Sequence, residues 1–362
     1  MSFKTKYLKN QIGPYFIAEI GINHNGIVEL AKKMIEESKN AGADAVKFQK
    51  REIRDLVDPN TVIEIPTGYL SKNENDIPDE NKAFGTWTYP DSRLEFDDET
   101  YKDLMAYSKK LDLDFIVSPW EEKSVDFLVE NKAKVIKVAS IDAINYQFIE
   151  YISSKKIPTI VSTGMCSYDQ LIVTHDIFKK NNCPMIFLHC TSAYPCPLED
   201  KNLKVMNVMK SLFGEDIGFS GHGTGIEGTM SAVALGASVV EKHVTLSRKM
   251  SGPDQNASLE FTEFKRLVEL SNNVVKSMGS SHKKLKDSEL TLKSILEKKF
   301  ITTKKLNMGE TIDGNSIRTV VTSNRNGISP ENFYKIQNYR AKSIIERDTI
   351  LSFDDLELIH ED

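Results

Sequence analysis

The chain of 362 residues is 40% hydrophobic and 27% charged, too apolar for a disordered segment and long enough for one large domain or two unequal ones. Its 47 Lys and Arg against 52 Asp and Glu leave a net charge of −5, which argues against nucleic acid as a partner because no overall basic surface is available. The 4 cysteines lack C-x-x-C spacing, so neither a disulfide framework nor a cysteine zinc site is indicated and a reducing cytoplasm fits best. The start, MSFKTKYLKNQIG, lacks the apolar run of a secretory signal, and no apolar stretch is long enough to span a membrane. A soluble, unexported protein is expected.

Short β-rich apolar runs recur along the chain: YFIAEIG (15–21), DAVKFQK (44–50), DFIVSPW (114–120), KVIKVAS (134–140), PTIVST (158–163), PMIFLHC (184–190), IGFSGH (217–222) and SVVEKHVT (238–245). Between them lie amphipathic segments, such as 28–42, 99–111, 201–213 and 224–237, with apolar residues at i, i+3 and i+4. This alternation predicts a (β/α)8 barrel, with a doubly wound open sheet as the other arrangement that alternation alone allows. Between the second and third strands, residues 51–98 form a long segment carrying Pro59, Pro66, Gly68, Pro78, Gly85 and Pro90. It is read either as a lid over the active-site face or as a surface insertion.

The last barrel helix, expected at 262–279, closes a catalytic barrel domain over 1–283. A polar, lysine-rich linker follows at 284–297, and 298–362 reads as a small β-rich module.

In a barrel, alternate strand residues point inward, and those at the C-terminal ends of strands face the active site. Period two therefore aligns Ile17, Glu19 and Gly21; Ala45, Lys47 and Gln49; Ile116 and Ser118; Val135 and Lys137; and Ile160 and Ser162. It also aligns Gly218, Ser220 and His222, and Val239, Glu241 and His243. Charged groups are seldom buried unless paired or functional, so this convergence marks a site. Lys47 and Lys137 with Ser118, Ser140, Ser162 and Ser220 suit a small anion carrying phosphate and carboxylate. His222 and His243, on adjacent strands, suit one divalent metal with open positions for water or substrate.

Other residues carry two readings each. Asn23 and His24 either reach the site or shape a turn, while His175, His282 and His360 lie on polar stretches and read as solvated. Asp142 follows strand 4 as a general acid/base or as an acid at a helix start. Ser192 and Tyr194, after strand 6, are candidate substrate contacts; His189 is equally a structural histidine or a site residue. Cys190, on the opposite face of that strand, and Cys196 read as packing residues.

The motifs AEIGINHNG, AGADAVKFQK, STGM, LHCTSAYP, IGFSGHGTG, EKHVTL and GPDQNASLE, taken in order, resemble the sialic acid synthase family, and the tail is similar to the antifreeze-like (SAF, β-clip) domain that follows the barrel there. The resemblance implies condensation of phosphoenolpyruvate with an N-acyl-mannosamine-type aminosugar, N-acetylmannosamine or its 6-phosphate, giving a nine-carbon 2-keto acid and phosphate. It implies a divalent metal, manganese or magnesium, with His222 and His243 matching its ligands. Lys47, Ser118, Lys137, Ser140, Ser162 and Ser220 match the phosphoenolpyruvate contacts, and Glu19, Gln49, Asp142, Tyr194 and Asp254 match positions near the sugar or the reacting carbons. Glu241 joins them as a substrate-side residue, and Asp142 or Glu19 would handle the proton of the attacking water.

The chain departs from the family pattern in places. The strand 4 turn reads Ala139-Ser140-Ile141-Asp142 where the family often has G-S-G-[E/D], and Ser192 stands where Asn is frequent. In the tail, Ser323 replaces an arginine that in bacterial members reaches into a partner's site, with Arg325 two positions later as its possible substitute. The resemblance also implies a domain-swapped homodimer. Alternatives are a legionaminic or pseudaminic acid synthase acting on a different hexose, a metal-dependent barrel hydrolase, which the two lysines oppose, and a non-catalytic sugar-binding protein.

Overall fold

Apolar residues at the start of each strand and polar ones at its end divide the molecule's interior along the barrel axis. The computed structural model describes residues 2–8, 13–56, 63–64, 88–89, 92–214 and 216–359. Its parallel strands are β1 (Tyr15–Gly21), β2 (Ala45–Lys50), β3 (Asp114–Pro119), β4 (Ile136–Val138), β5 (Thr159–Ser162), β6 (Met185–Cys190), β7 (Gly218–Gly221) and β8 (Val239–Thr245). Each pairs with the next, and β8 pairs with β1, so the sheet closes into the expected (β/α)8 barrel rather than an open sheet. The register sets Glu19 beside both Lys47 and His243, and Glu241 beside Ser220.

Helices α1 (Val28–Asn40), α2 (Asp98–Lys110), α3 (Glu122–Glu130), α4 (Tyr146–Ser154), α5 (Tyr168–Lys180), α6 (Val205–Phe213), α7 (Glu227–Ala234) and α8 (Phe261–Met278) accompany the strands. Their starts are set locally. Asp97 accepts the Thr100 amide at α2, and Ser167 and Gln170 form a capping box at α5. Helix α5 then buries Leu171, Thr174 and Phe178, one stripe at spacings of three and four.

Two apolar shells result. Phe16, Ile20, Val46, Phe48, Val161, Phe187 and Phe219 point outward into the layer beneath the helices. Tyr15, Ile17, Ala45, Ile116, Val135, Ile160, Ile186, Leu188 and Val239 fill the barrel floor, with Phe3 of the helical turn Phe3–Tyr7 packed on them. Each fully buried Ile or Val there contributes roughly 1.5–3 kcal/mol, enough together to hold a polar layer directly above.

Most of the 51–98 segment, including all its prolines and both its glycines, lies outside the described residues. Its two ends are tied together. The Arg51 amide and Nε donate to Glu95 carboxylate oxygens at 3.1 and 2.6 Å, and Gly26 is left-handed (φ +73°) where a Cβ would lie 2.1 Å from the Arg93 carbonyl oxygen.

The chain divides into two units at Gly279 and Ser280, four residues before the expected boundary at 283. The expected linker contains helix α9 (Asp287–Leu296), which buries none of its residues. The second unit pairs β9 (Lys298–Thr302) with β10 (Ile317–Val321), and β11 (Tyr339–Ala341) with β12 (Leu356–Leu358), all antiparallel. It has its own core of Phe300, Leu306, Ile312, Ile317, Ile328, Ile336, Ile345, Leu351 and Leu356. Among the described residues no helix is long and apolar enough to cross a membrane.

Candidate active site

Above the apolar floor, at the C-terminal ends of the strands, lies a cavity of about 360 Å³. It is lined by Glu19, Lys47, Gln49, Ser118, Lys137, Ser140, Ser162, Ser192, Tyr194, Ser220, His222, Glu241, His243 and Asp254, all singled out from sequence. Ile22, Trp120, Ala139, Ile141, Met165 and Pro253 complete the wall.

Charge is balanced in a buried network. Lys47 Nζ lies 2.9 Å from Glu19 Oε1 and 3.6 Å from Glu241 Oε1, and donates to Ser118 Oγ at 3.1 Å. Lys137 Nζ donates to Ser162 Oγ at 2.7 Å and the Val138 carbonyl at 3.0 Å, and lies 3.7 Å from the same Glu241 oxygen. Glu241 is therefore the common counterion of both ammonium groups. Burial lowers the pKa of both lysines. In Lys47 the two carboxylates outweigh burial and the value is raised; in Lys137, with one carboxylate, it stays lowered. Burial likewise raises both acids, and Lys137 and Lys47 reverse that for Glu241 only, so Glu241 is lowered and Glu19 raised. The sequence placed Glu241 on the substrate side; here it is committed to the lysines and to Ser220 Oγ at 3.4 Å.

His222 and His243 stand with ring centroids 5.3 Å apart. His222 Nε2 meets the Tyr194 hydroxyl at 2.9 Å and its Nδ1 the Thr191 carbonyl at 3.0 Å. His243 Nδ1 is buried without a hydrogen-bond partner, 3.6 Å from Asp254 Oδ2. Burial, then His222, push His243 well below the ordinary imidazole value, which keeps it neutral. Among the described residues no group of three or more His, Cys, Asp or Glu converges as a ready-made metal cluster. The donor set of two imidazoles, one with an orphaned nitrogen, fits a cation that takes its remaining positions from substrate and water.

One candidate of the barrel lies apart from this cavity. Asp142 is not among its lining residues, because the 3-10 turn Ser140–Asp142 presents Ile141 to the cavity, while Asn145 Nδ2 donates to Asp142 Oδ1 at 3.2 Å. Arg325 belongs to the second unit, within which it is exposed. Burial raises Asp142 from 3.8 to about 6. Between those values the folded chain holds a proton that the unfolded chain has lost, so stability falls as pH rises through the window and remains lower above it. Asp142→Asn is therefore expected to stabilise the barrel by roughly 3 kcal/mol at pH 7 and by nothing near pH 3, measured by urea unfolding at both values.

Three residues escaped sequence reasoning. Cys190, read as packing, shares the inward face of β6 with Ile186 and Leu188, and its Sγ lies 3.8 Å from His222 Nδ1 and 3.5 Å from Ser140 Oγ. Burial raises this thiol, and His222, Ser140 and Lys137 outweigh burial to bring it to about 7. Gly164 donates its amide to Ser140 Oγ at 3.1 Å, and a Cβ there would lie 2.1 Å from Ser192 Oγ, so only glycine lets these three loops meet. Trp120 joins the wall just past β3.

The histidines read two ways are settled by their bonds. His24 Nδ1 accepts the Gly26 amide at 3.0 Å and its ring stacks on Phe96, while Asn23 Nδ2 donates to the Val244 carbonyl at 2.9 Å, so both shape the β1 turn. His189 Nε2 meets the Lys201 carbonyl at 2.7 Å and is structural. His175 packs one side of its ring near Phe213 and stays partly exposed, His282 is exposed, and His360 lies outside the described residues.

The chain is 36% identical over 335 residues to N-acetylneuraminate-9-phosphate synthase of Mus musculus, covering 92% of this chain and 90% of the mouse protein. It is 34% identical over 338 residues to N,N'-diacetyllegionaminic acid synthase of Campylobacter jejuni subsp. jejuni, covering 91% and 98%. The crystal structure of N-acetylneuraminic acid (sialic acid) synthetase from Leptospira borgpetersenii serovar Hardjo-bovis, in complex with citrate, superimposes with a TM-score of 0.67 at 30% identity, covering 78% of this chain and 90% of that one. Residues 34–283 match the NeuB family model, and the chain belongs to the NeuB family.

Proposed function

We propose that this chain condenses phosphoenolpyruvate with an N-acyl-mannosamine-type aminosugar, releasing phosphate and a nonulosonic acid. The observation that carries the reading is the pair of buried ammonium groups, Lys47 and Lys137, sharing Glu241 beside two imidazoles in one cavity. Such a pair, ringed by the hydroxyls of Ser118, Ser140, Ser162 and Ser220, suits the phosphate and carboxylate of phosphoenolpyruvate. Gln49, Ser192, Tyr194 and Asp254 are left for the hydroxyl groups of the sugar.

In the reaction, the C2–C3 π pair of phosphoenolpyruvate forms a bond from C3 to the aldehyde carbon of the open-chain sugar. The C=O π bond of the aldehyde breaks to an alkoxide that takes up a proton, and a cation is left at C2. Water then adds at C2, and the hydroxyl it brings gives up its remaining proton as the bond from C2 to the phosphate oxygen breaks and phosphate departs, leaving the ketone. Glu19, with Oε2 buried and unpaired, takes the proton of that water. His222 and His243 would hold a divalent cation, manganese or magnesium, which supplies Lewis-acid stabilisation of the aldehyde oxygen when bound. Asp142, turned away by its own loop, is assigned no proton transfer.

The tail acts as an antifreeze-like domain covering the barrel mouth of a partner in a swapped homodimer, with exposed Arg325 the candidate contact to the acyl group. A reducing cytoplasm accords with four unpaired cysteines. A legionaminic or pseudaminic acid synthase is the second reading, and its legionaminic form is the better supported, with 34% identity to the Campylobacter legionaminic enzyme against 36% to the mouse protein and 31% to a pseudaminic acid synthase.

The test is incubation with phosphoenolpyruvate, Mn2+ and a panel comprising N-acetylmannosamine, its 6-phosphate and diacetamido hexoses. Phosphate and 2-keto acid are expected in equal amounts with one class of sugar, and His222→Ala should abolish both. Absence of phosphate release with every sugar, from protein with an intact barrel, would leave the non-catalytic binding protein as the better account.

A further inference from the structure

The two imidazoles of the cavity are not equally ready to receive a ligand. Thr191 offers His222 Nδ1 a carbonyl oxygen at 3.0 Å, and a carbonyl only accepts, so Nδ1 carries the proton. In the neutral ring, the form a metal ion takes, Nε2 is then the lone-pair nitrogen and the Tyr194 hydroxyl at 2.9 Å donates to it, although, against the lowering effect of burial, Cys190 and the Thr191 carbonyl raise the ring's affinity for a second proton. This contact is braced by packing. The Tyr194 and His222 rings lie 4.1 Å apart with planes inclined by 35°, and Tyr194 meets the His243 ring edge-on at 5.8 Å. His243 Nδ1, in contrast, has no hydrogen-bond partner. One imidazole is open and the other is capped.

We propose that the Tyr194 hydroxyl and a divalent cation compete for His222 Nε2, so that the cation must displace this hydrogen bond in order to bind. The inference rests on the reading of His222 and His243 as metal ligands. Thr191 fixes the tautomer, Tyr194 fixes the ring plane, and the hydroxyl released on loading becomes a free donor inside the cavity. Ion binding is thereby opposed by one hydrogen bond, worth roughly fivefold in affinity. Tyr194 is a positioning residue for the ion in this account, distinct from any contact it makes with sugar.

The experiment is Mn2+ titration without substrates, following free Mn2+ by electron paramagnetic resonance, on the parent chain, Tyr194→Phe and His222→Ala. The Phe variant is expected to bind Mn2+ roughly fivefold more tightly, because Nε2 has lost its cap. A hydroxyl that ligates the ion itself, or a ring that serves only packing, predicts weaker or equal binding, and either result overturns the proposal. The parent should also show a difference spectrum in the tyrosine band on Mn2+ addition that Tyr194→Phe lacks; its absence from the parent is equally fatal. Should the parent bind no Mn2+, the metal reading fails and takes this inference with it. Should the parent bind and His222→Ala not, equal affinity in the Phe variant removes the competition alone.

Discussion

Glu241→Gln is expected to unfold at a clearly lower urea concentration than the parent at pH 7, and to recover much of the difference in phosphate buffer. The side chain is 4% exposed, and one of its oxygens lies 3.6 Å from Lys47 Nζ and 3.7 Å from Lys137 Nζ. The amide keeps the shape but removes the charge, leaving two buried ammonium groups with Glu19 as the remaining carboxylate of this network. Removing one partner of a buried ion pair typically costs about 3–5 kcal/mol, and Lys137 is the ammonium this leaves without a nearby carboxylate, since Lys47 keeps Glu19 at 2.9 Å.

Acid should erase the difference. Burial raises Glu241, and Lys137 and Lys47 outweigh burial, so its folded value lies below the ordinary 4.5. Its stabilisation is present in full above 4.5 and is lost as pH falls through the lower folded value, so parent and variant converge there. A phosphate dianion between the lysines replaces the missing charge and should raise the midpoint of the variant more than that of the parent. Equal midpoints at pH 7, or no preferential gain in phosphate, would show that Glu241 is not the common counterion. For the proposed reaction the meaning is direct: the ammonium pair is kept charged and in register before the anionic substrate arrives.

The barrel was legible because its alternation is written twice, once in the order of strands and helices and once in the parity within each strand. Ile17 and Glu19, or Val135 and Lys137, differ by two positions, and that step carries the side chain from the apolar floor to the polar layer. Parity works while backbone is extended. It stops at Ser140, where a 3-10 turn rotates Asp142 away and brings Ile141 to the cavity, and the same loss of periodicity hides Trp120 and Gly164. Cys190 was within reach of the rule, since its face is opposite that of His189; its chemistry comes from His222, which follows the next strand 32 residues later in the chain but is adjacent in space. Glu241 was seen as inward-facing, yet partnership with both lysines depends on how side chains reach across the barrel, which no strand pattern encodes.

Glu19→Gln is expected to lower kcat by roughly 10²–10⁴ while leaving the KM for phosphoenolpyruvate within a fewfold. Glu19 is fully buried, and its Oε1 is held by Lys47 Nζ and Gln49 Nε2, each at 2.9 Å. Its Oε2 has no partner and belongs to a residue lining the cavity, which leaves one lone pair for the water that must add at C2. Glutamine preserves an acceptor toward Lys47 but cannot take the proton, so anion binding survives and turnover does not. Burial raises Glu19 above the ordinary 4.5, with Lys47 opposing and Glu241 adding to the rise. A base acts when deprotonated, so kcat of the parent should fall as pH drops through that raised value, and the limb should vanish from the residual activity of the variant. Full turnover in Glu19→Gln would return the proton transfer to another group. An unchanged acid limb would instead place the titration elsewhere, with Asp142, raised to about 6 and off the cavity, the next carboxyl to replace.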